Sequence, residues 1–327
     1  MTGSVTSEQL HHVVEAAGLA PSVHNTQPWM FVSVSGGLEL HADPARRLPV
    51  LDADGRQLHL SCGAALFHAR AAARALGVAV QVELLPDQSR PELLARVHLA
   101  LGAAATEDEL DVATAILRRH TYRGTFEPRP VPAALVDQLR RDAEREQVVL
   151  HEVQDRDALL ELEVLLSRAD DDEQRDGAYR TELAQWVRTD PGATDGMAVQ
   201  TLAVAPGSSL RQRDWTLTHP AAADGSAPVV DHPLVLVLAT PVDRPVAWLQ
   251  TGQALAAVLL RAAGHGVQAQ PLGQVTDVLA YRLRLRGVLG VLAVPQLVLR
   301  VGYADCHTAT PRRDVGDVLT AVAGSPA

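Results

Sequence analysis

The chain has 327 residues, 47% hydrophobic and 21% charged, with a formal net charge of -10; this is a globular balance, long enough for one large domain or two average ones, and it argues against nucleic acid and anionic membranes as partners. It contains no lysine, so all 29 basic residues are arginine, which excludes a Walker A phosphate loop, a pyridoxal Schiff base and a lysine general base. No apolar run approaches the roughly 18 residues of a membrane span, MTGSVTSEQL has no signal-peptide character, and Cys62 and Cys306 are too few and too far apart for a disulfide framework, so a cytoplasmic location is expected.

Thr6 and Gln9 form a capping-box signal, and Leu10, Val13, Val14 and Ala17 follow at helical spacing until Pro21 stops the helix. Pro21 leaves carbonyls behind it without helical partners. Trp29 to Ser35, Gly36-Gly37 and Leu38 to Ala42 predict a hairpin, and an alanine-rich helix is expected from Gly55 to Leu76, stopped by Gly77. Strands at Val78 to Leu85 and Leu93 to Leu101 complete a first half, residues 1–105.

The second half, 106–327, opens with another capping box, Thr106 with Glu109. Helix Pro132 to Glu146 and strand Val148 to Val153 follow. The stretch 169–227 is acidic at ADDDEQRD, rich in Gly, Pro, Asp and Ser, and weakly periodic, which suggests a lid. Beyond it come strand Pro233 to Ala239, helix Pro245 to Ala263, helix Thr276 to Arg286, strand Gln296 to Tyr303 and a short closing helix. The antiparallel hairpin within this interleaved order predicts an α+β fold, not a doubly wound one.

Two segments carry candidate chemistry. APSVHNTQPW, Ala20 to Trp29, sets Ser22, His24, Asn25 and Gln27 between two prolines at a helix-to-strand junction; it reads either as a ligand loop or as a connection whose Ser and Asn satisfy local backbone groups. RRHTYRGTF, Arg118 to Phe126, alternates Arg119, Thr121 and Arg123, so an extended backbone puts two guanidinium forks and a hydroxyl on one face, a phosphate cradle. Elsewhere the signals are weak. Gly264-His265-Gly266 lacks the rest of a dinucleotide fingerprint, Asp305-Cys306-His307 has no second metal-ligand pair, Asp170 to Glu173 reads as a solvated helix face or lid hinge, Cys62 reads as core, and no G-x-S-x-G occurs.

The string A-P-S-x-x-N-x-Q-P-W resembles the flavin-contacting loop of the nitroreductase superfamily, and HNTQPW resembles its actinobacterial Acg subgroup. RRHTYRGTF resembles the arginine motif of the same fold, TPRRDV its final phosphate-contacting arginine segment, and TELAQW, AWLQTGQAL and PQLVLRVGY further subgroup motifs. In ordinary members the arginine motif precedes the loop; here the order is inverted, which implies two fused halves forming an intrachain pseudo-dimer with one FMN per chain. The resemblance implies that Arg119, Thr121, Arg312 and Arg313 hold the FMN phosphate and that Arg123 lies toward the ribityl chain. It places Pro21, Ser22, His24, Asn25, Pro271, Leu272 and Gly273 against the ring, with Gly273 departing from the subgroup's usual Asn. The activity implied is NAD(P)H-dependent oxidoreduction of a small-molecule acceptor, by a monomeric pseudo-dimer or a homodimer. The alternative is a protein that stores FMN beneath the lid.

Overall fold

A computed structural model describes residues 5–190, 192–199, 202, 210–213, 231–305 and 310–321. Helix α1 (Ser7–Gly18) starts at the Thr6/Gln9 capping box, with both reciprocal hydrogen bonds formed. Strands β1 (Trp29–Val34) and β2 (Gly37–Ala42) form the expected hairpin. Helix α2 (Arg56–Ala75) leads through Gly77, at φ 71°, into β3 (Val78–Leu84) and β4 (Leu93–Leu101). Helix α3 (Glu107–Ala115), on its own capping box, opens the second half.

There α4 (Ala133–Arg145) and β5 (Val149–Glu152) precede two helices, α5 (Arg156–Arg175) and α6 (Gly177–Ala184), and two short strands, β6 (Val187–Arg188) and β7 (Met197–Ala198). Then come β8 (Leu234–Thr240), α7 (Pro245–Gly264) and β9 (Val267–Leu272). The helix expected at Thr276 to Arg286 is two, α8 (Gln274–Asp277) and α9 (Leu279–Val288), because Val278 is extended. Strand β10 (Val294–Tyr303), helix α10 (Val315–Val318) and β11 (Leu319–Ala321) end the described chain. The fold is α+β, and among the described residues no helix is long and apolar enough to cross a membrane.

The chain contains one architecture twice. The first sheet runs β11-β1-β2-β4-β3 and the second β5-β8-β10-β9. Leaving aside β11, each is antiparallel throughout, with its four strands in the order first, second, fourth, third and a 20-residue helix between the second and third. Both helices end before a left-handed glycine at φ 71°, Gly77 and Gly266. They pack face to face through the eighth residue of each: a Cβ on Gly63 would lie 2.2 Å from the Leu249 carbonyl oxygen, and one on Gly252 would lie 2.0 Å from that of Leu60. Each glycine thus meets the carbonyl three positions before the other, the reciprocity of a twofold contact.

The halves differ in cover. The first sheet packs α1 and α2 on one face, in a core that includes Trp29, Phe31, Leu38, Leu40 and Leu66. The second sheet has α4 and α7 on one face and α5 and α9 on the other. Strand β11 returns to the first half and pairs in parallel with β1, Phe31 opposite Leu319.

Candidate functional site

A cavity lies between the halves, lined by the 21–25 loop, α2 at Gln57, Leu60 and Ser61, the extended segment after α3, and the end of β9. Its first wall begins where Pro21 stops α1. The carbonyls left behind are those of Leu19 and Ala20, and arginines take them. Arg119 Nη2 donates to Leu19 O at 3.2 Å, and Arg312 Nη2 donates to Leu19 O and Ala20 O at 3.4 and 3.3 Å. Cations suit that end of a helix.

The loop then holds an unusual backbone: His24, Asn25 and Gln27 have φ of 48°, 53° and 49°. Left-handed conformations are uncommon outside glycine and persist when surroundings impose them. Here they do. Gln27 N donates to Ser22 Oγ at 2.9 Å, Asn25 Nδ2 donates to Gly196 O and Pro311 O at 2.9 and 3.1 Å, and Gln27 Nε2 donates to Thr194 O at 2.9 Å. Ser22 thus serves local backbone, while Asn25 and Gln27 tie the loop to chain more than 160 residues away.

The opposite wall is the arginine segment. Thr121 bridges in parallel to Ala269 and Tyr122 N donates to Ala269 O at 3.1 Å, so the backbone is extended here and Arg119, Thr121 and Arg123 all reach the cavity. Pro271, Leu272 and Gly273 line it as well. A Cβ on Gly273 would lie 2.8 Å from Asp277 Oδ2, so a larger residue there would have to displace that carboxylate.

Of the residues expected at the site, Pro21, Ser22, His24, Asn25, Arg119, Thr121, Arg123, Pro271, Leu272, Gly273 and Arg312 line the cavity. Arg313 does not line it. Its guanidinium donates to the carbonyls of Gln27 and Asp317 at 3.3 and 2.8 Å, and its backbone N donates to Gln27 Oε1 at 2.9 Å, so it braces the loop from behind.

Several lining residues carry no sequence signal, Arg213 and Asp277 above all. The acid run at Asp170 to Glu173 is only half solvated, a correction to its reading as an exposed face: Asp170 and Glu173 are buried against Arg211 and Arg213, at 2.9 and 2.8 Å, while Asp171 and Asp172 face solvent. A period-3.6 core face, Leu162, Leu165, Leu166, Ala169 and Glu173, runs through α5 and puts those two acids inside. Cys62 is buried core, its Sγ donating to Pro28 O at 3.2 Å. Cys306 and His307 lie outside the described residues, as do parts of 169–227.

Charge at the cavity is divided. At one end Arg312 is pushed down to about 9, first by burial and then by the Arg119 guanidinium. Its Nε is buried and donates to no partner among the described residues. At the other end Asp277 accepts from Arg56 at 2.7 Å, from Gln57 at 2.5 Å and from Arg213 at 3.2 Å. Burial pushes the Glu173 carboxyl upward although Arg213 opposes it. The arrangement offers an anion site at the α1 end and a neutralised polar wall at the other.

His68 of α2 gives a measurable consequence. It is wholly buried, with Nδ1 3.2 Å from Ala16 O, and burial, then the charges of Arg119 and Arg312, push its pKa down to about 3. Because the folded value lies below the unfolded one, the unfolded chain takes the proton first as pH falls. This contribution is whole above about pH 6.5 and is lost below it, at about 1.4 kcal/mol per pH unit. Urea unfolding at pH about 7 and about 5 should give a difference smaller by one proton's slope in His68→Met. An unchanged difference would show that His68 is not the group responsible.

A family model described as "Nitroreductase family" matches residues 2–54 and 116–303. Among curated proteins of Mycobacterium tuberculosis, "Putative NAD(P)H nitroreductase Rv3131" is 32% identical, covering 96% of this chain and 91% of its own. "Putative NAD(P)H nitroreductase acg" is 31% identical, covering 96% of each chain, and "Uncharacterized protein Rv3127" is 31% identical, covering 95% and 92%. With the model matching well over half of the chain and relatives aligned nearly end to end, the chain belongs to the nitroreductase family, in its Acg-like branch.

Proposed function

We propose that this chain binds one FMN in the cavity between its halves and acts as an NAD(P)H-dependent oxidoreductase. The observation that carries the reading is the convergence of Arg119 and Arg312. Two buried guanidiniums that raise each other's cost of charging are relieved by an anion, and a phosphate monoester accepts hydrogen bonds from both. Arg312 Nε, which has no partner among the described residues, supplies one further donor. The donor set therefore fits the phosphate of FMN.

On this reading Arg119, Thr121 and Arg312 hold the phosphate, and Arg123 lies along the ribityl chain. Pro21, Ser22, His24 and Asn25 flank the ring from one half, and Pro271, Leu272 and Gly273 flank it from the other. Arg313 acts indirectly, by bracing Gln27. When bound, FMN supplies the hydride acceptance and release; the chain orients it, sets its electrostatics and excludes water. The names of the mycobacterial relatives support NAD(P)H as the reductant.

The repeated architecture and the reciprocal Gly63–Gly252 contact support the pseudo-dimer, divided near residue 105. Met197 and Arg213, both in the 169–227 stretch, wall the cavity, which supports that stretch as its cover. Purified protein reconstituted with FMN is expected to be yellow, to hold one flavin per chain, and to bleach when mixed anaerobically with NADH or NADPH. A colourless protein overturns the cofactor assignment; a flavin that stays oxidised with both donors overturns the oxidoreductase assignment.

A further inference from the structure

Arg300, in the middle of β10, is wholly buried, and so is the Asp231 carboxylate that it meets at 2.5 Å. Its fork reaches several distant parts of the chain. Nη2 donates to Asp231 and, at 2.9 Å, to the Gly124 carbonyl, while Nη1 donates to Gln270 Oε1 at 2.9 Å. Nη1 also donates to Gln212 Oε1 at 2.7 Å when that amide is oriented so that both of its ends have partners, and Gln212 then donates to the Arg123 carbonyl at 3.2 Å. Asp231 in turn accepts from Phe126 N at 3.0 Å. With Tyr122 N on Ala269 O, the 119–126 segment is held at alternate residues, 122, 124 and 126, the last two by Arg300 and its partner. The Phe126 ring completes the seat: its centroid lies 4.4 Å from the Arg300 guanidinium, and its Cγ would be 2.6 Å from a Cβ placed on Gly302.

The first half supplies the comparison. There β4 sets His98 opposite Gln81 of β3 and Gly37 of β2, as β10 sets Arg300 opposite Gln270 of β9 and Val235 of β8, and Ala100 stands where β10 has Gly302. Both His98 and Ala100 are exposed. The arginine and the glycine thus occur in the half that seats the 119–126 segment and not in the other. We propose that Arg300 is the positioning residue of the phosphate cradle, fixing the backbone of 119–126 and with it the directions of Arg119 and Thr121. That it fixes the segment stands on the bonds above; that this serves a phosphate rests on the FMN reading. A buried ion pair is a poor source of stability, because desolvating both charges cancels much of their attraction. Its contribution here is geometry.

The test begins with FMN-free protein. Arg300→Met combined with Asp231→Asn leaves no buried charge unpaired and keeps an acceptor for Phe126 N. Hydrogen exchange over 119–126 is expected to quicken about tenfold or more in this variant, while exchange over β10 stays within about twofold of wild type. Unchanged exchange over 119–126 would mean that the segment holds without Arg300, and an equal rise in β10 would mean that the pair supports the sheet instead. Either result overturns the role.

The service to the phosphate is read by comparing ligands. In the same variant the affinity for FMN should fall about tenfold relative to that for riboflavin, which lacks the phosphate, and the urea midpoint should stay near that of wild type. Equal losses for the two ligands, or none, overturn the positioning of the cradle. Gly302→Ala keeps the ion pair and displaces the Phe126 ring, so it should lower FMN affinity relative to riboflavin in the same direction, and it carries the test if the double variant does not fold. Wild-type protein that binds neither ligand overturns the FMN reading, and the exchange result then still decides whether Arg300 fixes the segment.

Discussion

Arg312→Ala is expected to weaken FMN retention by about 10- to 100-fold, and Arg119→Ala by a similar factor, since each removes charge-assisted hydrogen bonds worth about 1.5–3 kcal/mol. Arg313→Ala, one residue along, should stay within about twofold of wild type, because its guanidinium serves the Gln27 and Asp317 carbonyls and not the cavity. Titration calorimetry with FMN and with riboflavin separates the causes. Riboflavin lacks the phosphate, so its affinity should be insensitive to Arg312→Ala if that residue acts through the phosphate. Equal losses for both ligands would mean that the substitution damages the cavity generally, and a loss confined to Arg313→Ala would reverse the assignment of the two arginines.

Gly252→Ala is the substitution expected to cost most in stability. The added Cβ would sit 2.0 Å from the Leu60 carbonyl oxygen and 2.9 Å from the Ala64 nitrogen, both backbone atoms of α2 that cannot rotate away. The helices must separate, and with them two cores that share this contact, so a loss of about 3 kcal/mol or more is expected. Gly63→Ala should cost about the same, since its Cβ would meet Leu249 in the mirrored way. Gly264→Ala supplies the control on the same helix: nothing lies within 4 Å of its Cβ, and its effect should be within about 1 kcal/mol of zero. Urea midpoints that fall equally for Gly252→Ala and Gly264→Ala would show that the loss does not come from the crossing, since helix propensity alone favours alanine in both.

Local chemistry was legible in the sequence and convergence was not. The capping boxes at Thr6 and Thr106, the Gly36-Gly37 hairpin and the Gly77 stop each depend on residues a few positions apart, and all are formed. The stranded carbonyls behind Pro21 followed from the lack of a helical partner, and Arg119 and Arg312 occupy them. Strand β9 was hidden because its alternation, Val267-Gln268-Ala269-Gln270, is only four residues long and stops at Pro271; both glutamines are buried, and Gln270 accepts from the buried Arg300 at 2.9 Å. In the irregular run before α10 neighbouring side chains diverge, so a motif with two adjacent arginines could not tell which one faces the cavity. Arg213 was beyond reach, since Glu173 and Asp277 select it from 40 and 64 positions away.

The parallel pairing of β11 with β1 sets the order in which this protein can become functional during synthesis. The 20–27 loop leaves the ribosome early, and Arg119 follows 100 positions after Leu19, but Arg312 comes 293 positions after it. No nascent chain that stops before Arg312 holds both guanidiniums. The first sheet, which otherwise folds from contiguous sequence, must keep the side of β1 that receives Leu319 to Ala321 available throughout elongation. On the proposed reading the phosphate site is therefore complete only once Arg312 has been made and β11 has paired with β1.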